Sequence, residues 1–159
     1  GARVRECVVC GELDKRRAMD EICAWAESIG ARRAAVHRLA SVVDELLMNA
    51  LFAAPAEPRA VLRWASDDRT LAVSVLDDRG TLRQRDLIDH VRRARRERGR
   101  PQPADEGGEG GAGLGLYLVL ENVAGLVVNL APGRRTEMVC LLDLAKVSRT
   151  RSLHVFAEA

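Results

Sequence analysis

The chain has 159 residues, 47% of them apolar but only 3% aromatic, with a formal charge of +2. That length suits a single domain, 1–159, whose core must be built chiefly from Leu, Val and Ala. The near-balanced charge gives no overall push toward nucleic acid or anionic membrane. No apolar run approaches the ~20 residues that span a bilayer, no signal peptide is visible, and four cysteines make no disulfide scaffold at this size, so a cytoplasmic setting is expected.

Residues 2–10, ARVRECVVC, combine alternation with a short apolar run and read as a strand. Cys7 and Cys10 are a lone pair without the second pair that zinc signatures need, and read as ordinary buried thiols. From Leu13 to Ile29 the period becomes helical, with Met19, Ile22, Cys23, Ala26 and Ile29 at three- and four-residue spacing. Gly30 ends that helix where a left-handed residue is wanted. A second helix is expected from about Ala31 to Phe52, with Leu39, Val42, Val43, Leu46 and Ala50 on one face and Pro55 closing it. Two strands follow, Val61–Ala65 and Leu71–Leu76, joined by the turn Ser66-Asp67-Asp68-Arg69 as a hairpin.

Asp77-Asp78-Arg79-Gly80 breaks the second strand, and a helix from about Arg85 to Arg98 carries Leu87, Ile88 and Val91 on its apolar side. Residues 99–112 are rich in Pro and Gly and read as a long mobile loop. A helix over 115–124 leads into the strand begun by Gly125. Pro132-Gly133 turns the chain, and Glu137–Leu144 returns as another strand. The segment SLHVF, within 146–159, either adds a strand or trails. Runs of strands with helices segregated to one face predict an α+β two-layer sandwich with a mixed, mostly antiparallel sheet.

The stretch GGEGGAGLGLYLVL, from Gly107 to Leu120, packs glycines ahead of an apolar helix. Such a loop aims unpaired N–H groups and the positive end of a helix dipole at one point, where phosphate is the usual guest, although flexible linkers are glycine-rich too. A P-loop reading fails because Gly113-Leu114-Gly115-Leu116 offers no Gly-Lys-Ser/Thr ending. The dinucleotide fingerprint fails because no strand fits in RERGRPQPADEGGEG, and the protein-kinase loop fails because Leu116–Val123 reads as helix. Glu45 and Asn49, one turn apart on the second helix, form a polar stripe beside its apolar face. From spacing alone a rim hydrogen bond or a solvated Glu45 is the favoured explanation, because charged helix residues are mostly exposed.

The order of these features is more specific than any one of them. Glu-x-x-x-Asn on a helix comes first, then a hairpin ending in Asp78-x-Gly80, a long loop, Gly111-x-Gly113-x-Gly115 opening a helix, and Gly133-Arg134-Arg135-Thr136 at the start of a strand. The arrangement resembles the Bergerat-type ATP-binding domain of the GHKL superfamily, which includes histidine-kinase catalytic domains and gyrase. Within that superfamily it is most similar to the small anti-sigma-factor serine kinases. The segment SIGARRAAVHRLASVVDELLMNAL resembles their lead-in to the asparagine helix, and the match covers roughly residues 2–145.

What the resemblance implies is a Mg-ATP site. Asn49 would meet Mg²⁺, a hard cation that takes few protein ligands. Asp78 would accept from the adenine amino group, Gly80 would let the chain pass close to the base, and Thr136 would support adenine from the neighbouring strand. Gly111, Gly113 and Gly115, with Leu114 and Leu116, would wrap the phosphates, and 102–112 would be the ATP lid. Glu45 would be the general base that polarises a water or a partner's serine hydroxyl. The implied partner is an anti-anti-sigma-like antagonist or a sigma factor, and the implied assembly is a homodimer.

Three departures from the pattern are visible. Leu82 stands where the adenine box usually has a second glycine and would stiffen or partly fill the pocket. Ala50-Leu51-Phe52-Ala53-Ala54 follows the asparagine without a polar residue, and the loop before the glycines is acidic (Asp105, Glu106, Glu109). The alternatives are therefore a catalytically weak or inactive interaction module of the same fold, or a detached histidine-kinase catalytic domain. The arginines at 92, 93, 95, 96, 98 and 100 read as a solvated face or part of the lid rather than a nucleic-acid patch, because no aromatic residues interleave them. His37, His90 and His154 are scattered, and Trp25 and Trp64 are expected in the core.

Overall fold

A computed structural model describes residues 3–52, 59–67, 69–97, 112–145 and 152–158. The elements run β1 (Arg5–Val9), α1 (Glu12–Ser28), α2 (Arg33–Phe52), β2 (Ala60–Ser66), β3 (Thr70–Asp77), α3 (Gln84–Glu97), α4 (Ala112–Asn122), β4 (Gly125–Ala131), β5 (Arg135–Asp143) and β6 (Ser152–Ala157). The strands form one six-stranded sheet in the order β1-β2-β3-β5-β4-β6. Every pairing is antiparallel except β4 with β6. The fold is thus α+β, a two-layer sandwich, as the element pattern predicts. Among the described residues no helix is long and apolar enough to cross a membrane.

Alternation along the strands fixes which side chains meet the helices. Leu62 and Trp64 of β2, Val73 and Val75 of β3, Cys140 of β5 and Leu126 and Val128 of β4 are all buried. Helix α2 lies across β2, β3 and β5, and its expected face, Leu39, Val42, Val43, Leu46 and Ala50, is buried in full. Trp25 and Trp64 meet edge-on with ring centroids 6.3 Å apart, a favoured geometry for an aromatic pair.

Helix α1 stops at a Schellman motif. Gly30 takes φ +80, its N–H donates to the Glu27 carbonyl, and the Ala31 N–H donates to the Ala26 carbonyl. The two bonds satisfy carbonyls that a helix end leaves unpaired. Helices α1 and α2 are joined by the buried Lys15, whose Nζ lies 2.7 Å from Asp44 Oδ1.

Two sequence expectations shift, and one open alternative is decided. Helix α4 starts at Ala112 rather than at 115, so Gly113 and Gly115 are its opening residues and not part of a loop. SLHVF is a strand, β6, laid parallel on β4. Cys7 is half-buried but Cys10 is exposed, so only the first of that pair is sheltered. Burial pushes the Cys7 thiol up to about 11, with the charges of Glu21, Glu6 and Asp14 adding to the effect. A thiol held protonated is a poor nucleophile and metal ligand.

Candidate functional site

A cavity of about 410 Å³ opens between α2, the sheet and α3. That volume is in the range of small-molecule sites. Leu46, Asn49 and Ala50 of α2 form one wall; Val75, Asp77, Thr136 and Met138 of β3 and β5 form the floor. Asp86, Leu87, Asp89 and His90 of α3 form the other wall, and Thr81, Leu82 and Leu116 complete the lining.

The floor carries the most informative atoms. Thr136 is 4% exposed, and its Oγ1 is buried without a hydrogen-bond partner among the described residues. A buried hydroxyl left unpaired costs about 1–3 kcal/mol, so it marks a place where a partner is expected to arrive. Asp77 is the residue paired with Thr136 across the β3–β5 ladder. Its Oδ1 accepts the backbone N–H groups of Arg79 (3.0 Å) and Gly80 (3.2 Å), which fixes the carboxylate.

The resemblance implies an adenine contact for Asp78 instead. Strand β3 runs on through Asp77, so the parity that turns Val73 and Val75 inward turns Asp77 inward and Asp78 away. The Asp78 side chain is 58% exposed and lies 3.6 Å from Arg59 Nη1. Counting the alternation one residue past Leu76 identifies Asp77 as the aspartate on the cavity side.

Gly80 also has a different neighbour from the one expected. It adopts φ +58, and a Cβ there would meet Arg134 N at 2.6 Å and Arg135 N at 2.7 Å. The Gly133 N–H donates to its carbonyl at 3.0 Å. The absent side chain therefore lets the β3–α3 loop close on the β4–β5 turn. Gly80 is not among the residues lining the cavity.

Arg79 ties the β3–α3 loop to α2. Its Nη2 donates to the Ala50 carbonyl in the last turn of α2, which otherwise has no basic residue to offset its negative pole. Nε and Nη1 of Arg79 are buried without a partner among the described residues.

At one end of the cavity Asn49 Nδ2 donates to Glu45 Oε1 at 3.2 Å. The amide orientation leaves the Asn49 carbonyl oxygen for another partner. Burial raises the Glu45 carboxyl above its usual range, the Asn49 bond opposes that, Asp44 adds to it and Lys15 opposes it. A carboxylate more basic than an ordinary glutamate is a better proton acceptor. Glu45 also touches α4: its carboxylate fills the space a side chain on Gly115 would need.

The structure therefore brings Glu45, Asn49, Gly115, Leu116 and Thr136 to one region. Gly113 and Leu114 belong to the opening of α4, and Gly111 and the lid segment before it lie outside the described residues. Arg92 and Arg96 are exposed on α3. Arg98 and Arg100 lie outside the described residues. Among the described residues no three His, Cys, Asp or Glu side chains converge on a metal site, so a cation beside Asn49 would take most of its ligands from phosphate and water. Mg²⁺ tolerates that arrangement well.

No family model matches the chain, and no curated protein matches it.

Proposed function

We propose that the chain is a cytoplasmic ATP-binding signalling regulator of the GHKL type, similar to the anti-sigma-factor serine kinases. The single observation that carries the reading is the buried Thr136 hydroxyl, unpartnered among the described residues and paired with Asp77 across the ladder, in a cavity also lined by Asn49, which bonds Glu45. Asp77, an acceptor, and Thr136, a hydroxyl, match the donor and acceptor edge of adenine. The apolar side chains of Leu46, Val75, Leu82, Leu116 and Met138 enclose the ring.

Asn49 would hold Mg²⁺ through its carbonyl oxygen, and the ion when bound supplies charge neutralisation at the phosphates. Glu45 would take the proton of a serine hydroxyl on an antagonist protein, or of water. Asn49 orients that carboxylate and Gly115 makes room for it. A homodimer that captures a sigma factor while nucleotide is bound belongs to the same reading.

Titration calorimetry with Mg-ATP and Mg-ADP tests it. Wild type should bind both, and Asn49→Ala should lose most of the Mg-dependent affinity. Absence of binding to wild type would end the reading. A second reading keeps the fold as an adaptor with weak catalysis, and it is favoured by the lack of any Lys or Arg among the described residues lining the cavity. Tight nucleotide binding without phosphotransfer to any serine-bearing partner would select it.

A further inference from the structure

The wall of the cavity formed by α3 has no part in the roles assigned so far. Asp86 and His90 are four residues apart on that helix, so they stand one turn apart on one face, and both line the cavity with Asp89. Asp89 has an ion pair, 3.8 Å from Arg92 Nη1; Asp86 and His90 have no hydrogen bond or ion pair among the described residues. A carboxylate in the first turn of a helix is favourable in itself, so Asp86 alone would say little. The independent sign of a ligand is the Thr136 hydroxyl, 4% exposed and unpartnered on the floor of the same cavity.

The chemistry of the walls then orders the ligand. The floor, with Asp77 and Thr136, suits the base. The Asp86 and Asp89 carboxylates repel phosphate, so the phosphates must leave along Asn49 and Glu45. What remains opposite α3 is the part of a nucleotide that is neutral and rich in O–H donors. We infer that Asp86, flanked by His90, accepts the sugar hydroxyls, making the site selective for ribonucleotides over deoxyribonucleotides and hostile to phosphate on the sugar. The inference rests on the nucleotide reading above.

Calorimetric titration of wild type and Asp86→Ala with Mg-ATP, 2′-deoxy-ATP and 3′-deoxy-ATP tests it. Wild type should bind ATP about tenfold more tightly than at least one deoxy analogue, the scale of one charge-assisted hydrogen bond. Asp86→Ala should bind all three within about twofold of each other. A purely structural Asp86 would shift the three affinities together and leave their ratio untouched, which overturns the inference. So would equal binding of the three nucleotides by wild type, while leaving nucleotide binding itself intact. Failure of wild type to bind any of them would instead remove the reading on which the inference stands.

Discussion

The Glu45 carboxylate occupies the space in which a side chain on Gly115 would begin. Glycine in an exposed helix is worth about 1 kcal/mol less than alanine, so Gly115→Ala would ordinarily stabilise α4. Here the added methyl must push Glu45 aside, and the sign should reverse. Thermal unfolding should show a lower Tm for Gly115→Ala, and phosphotransfer or ATP turnover should fall by at least tenfold. Combining it with Glu45→Ala should restore the Tm toward that of Glu45→Ala alone, a non-additivity that reports direct contact. Additive effects would mean that the two residues do not meet.

Glu45 should also make stability depend on pH. Its carboxyl is raised above the ordinary value of 4.5 because burial penalises the charge. The folded state therefore takes up the proton at a higher pH than the unfolded chain. The favourable contribution is fully present below 4.5 and is lost as pH rises through the folded value. Glu45→Gln removes the charge, so it should unfold at a higher temperature than wild type at pH 7 to 8. The difference should shrink to nothing below the ordinary value, as scanning calorimetry across pH would show. The same variant should lose about a hundred- to ten-thousand-fold in turnover if Glu45 is the base.

Two adjacent aspartates should behave oppositely. Asp77→Asn keeps an oxygen for the Arg79 and Gly80 backbone donors but weakens acceptance from an adenine amino group, so Mg-ATP affinity should fall at least tenfold. Asp78→Asn removes only an exposed pair at 3.6 Å from Arg59, worth about 0–1 kcal/mol, and should bind as wild type does. Calorimetric titration separates the two, and the reverse ranking would return the base contact to Asp78.

The asymmetry between those aspartates also shows what the sequence could and could not reveal. The face of α2 was legible because Leu39, Val42, Val43, Leu46 and Ala50 follow the helical period and one side of a helix must be buried. The two-layer sandwich followed from the same patterning. Strand parity was legible in principle, but Asp78 was chosen by its Asp-x-Gly spacing, which carries no information about which face a strand residue takes. The meeting of Glu45 with Gly115, the Arg79 bond to the Ala50 carbonyl and the approach of Gly80 to Arg134 and Arg135 join segments far apart in the chain. No local pattern encodes such contacts. The ordered motifs suggested a site, and the orphaned Thr136 hydroxyl gave it an interior.

Gly80→Ala should be destabilising for reasons unconnected with nucleotide. At φ +58 an L-residue costs about 1–2 kcal/mol, and its methyl would press on the Arg134 and Arg135 amides. A loss of about 2 kcal/mol or more should lower Tm by roughly 4–8 °C in a domain of this size. Purified Gly80→Ala that melts with wild type would show that the loop and the β4–β5 turn are not in contact.

Thr136→Val sets stability against binding within one position. The substitution is nearly isosteric and deletes a buried hydroxyl that has no partner among the described residues, a group that costs about 1–3 kcal/mol to leave unpaired. The ligand-free variant should therefore melt at or above the wild-type temperature. Its hydroxyl would nevertheless be missed once adenine is bound, so Mg-ATP affinity should fall by about tenfold and the rise in Tm with added Mg-ATP should be smaller than in wild type. A variant that is less stable without nucleotide yet binds it normally would mean that the Thr136 hydroxyl serves the β3–β5 ladder and faces no ligand.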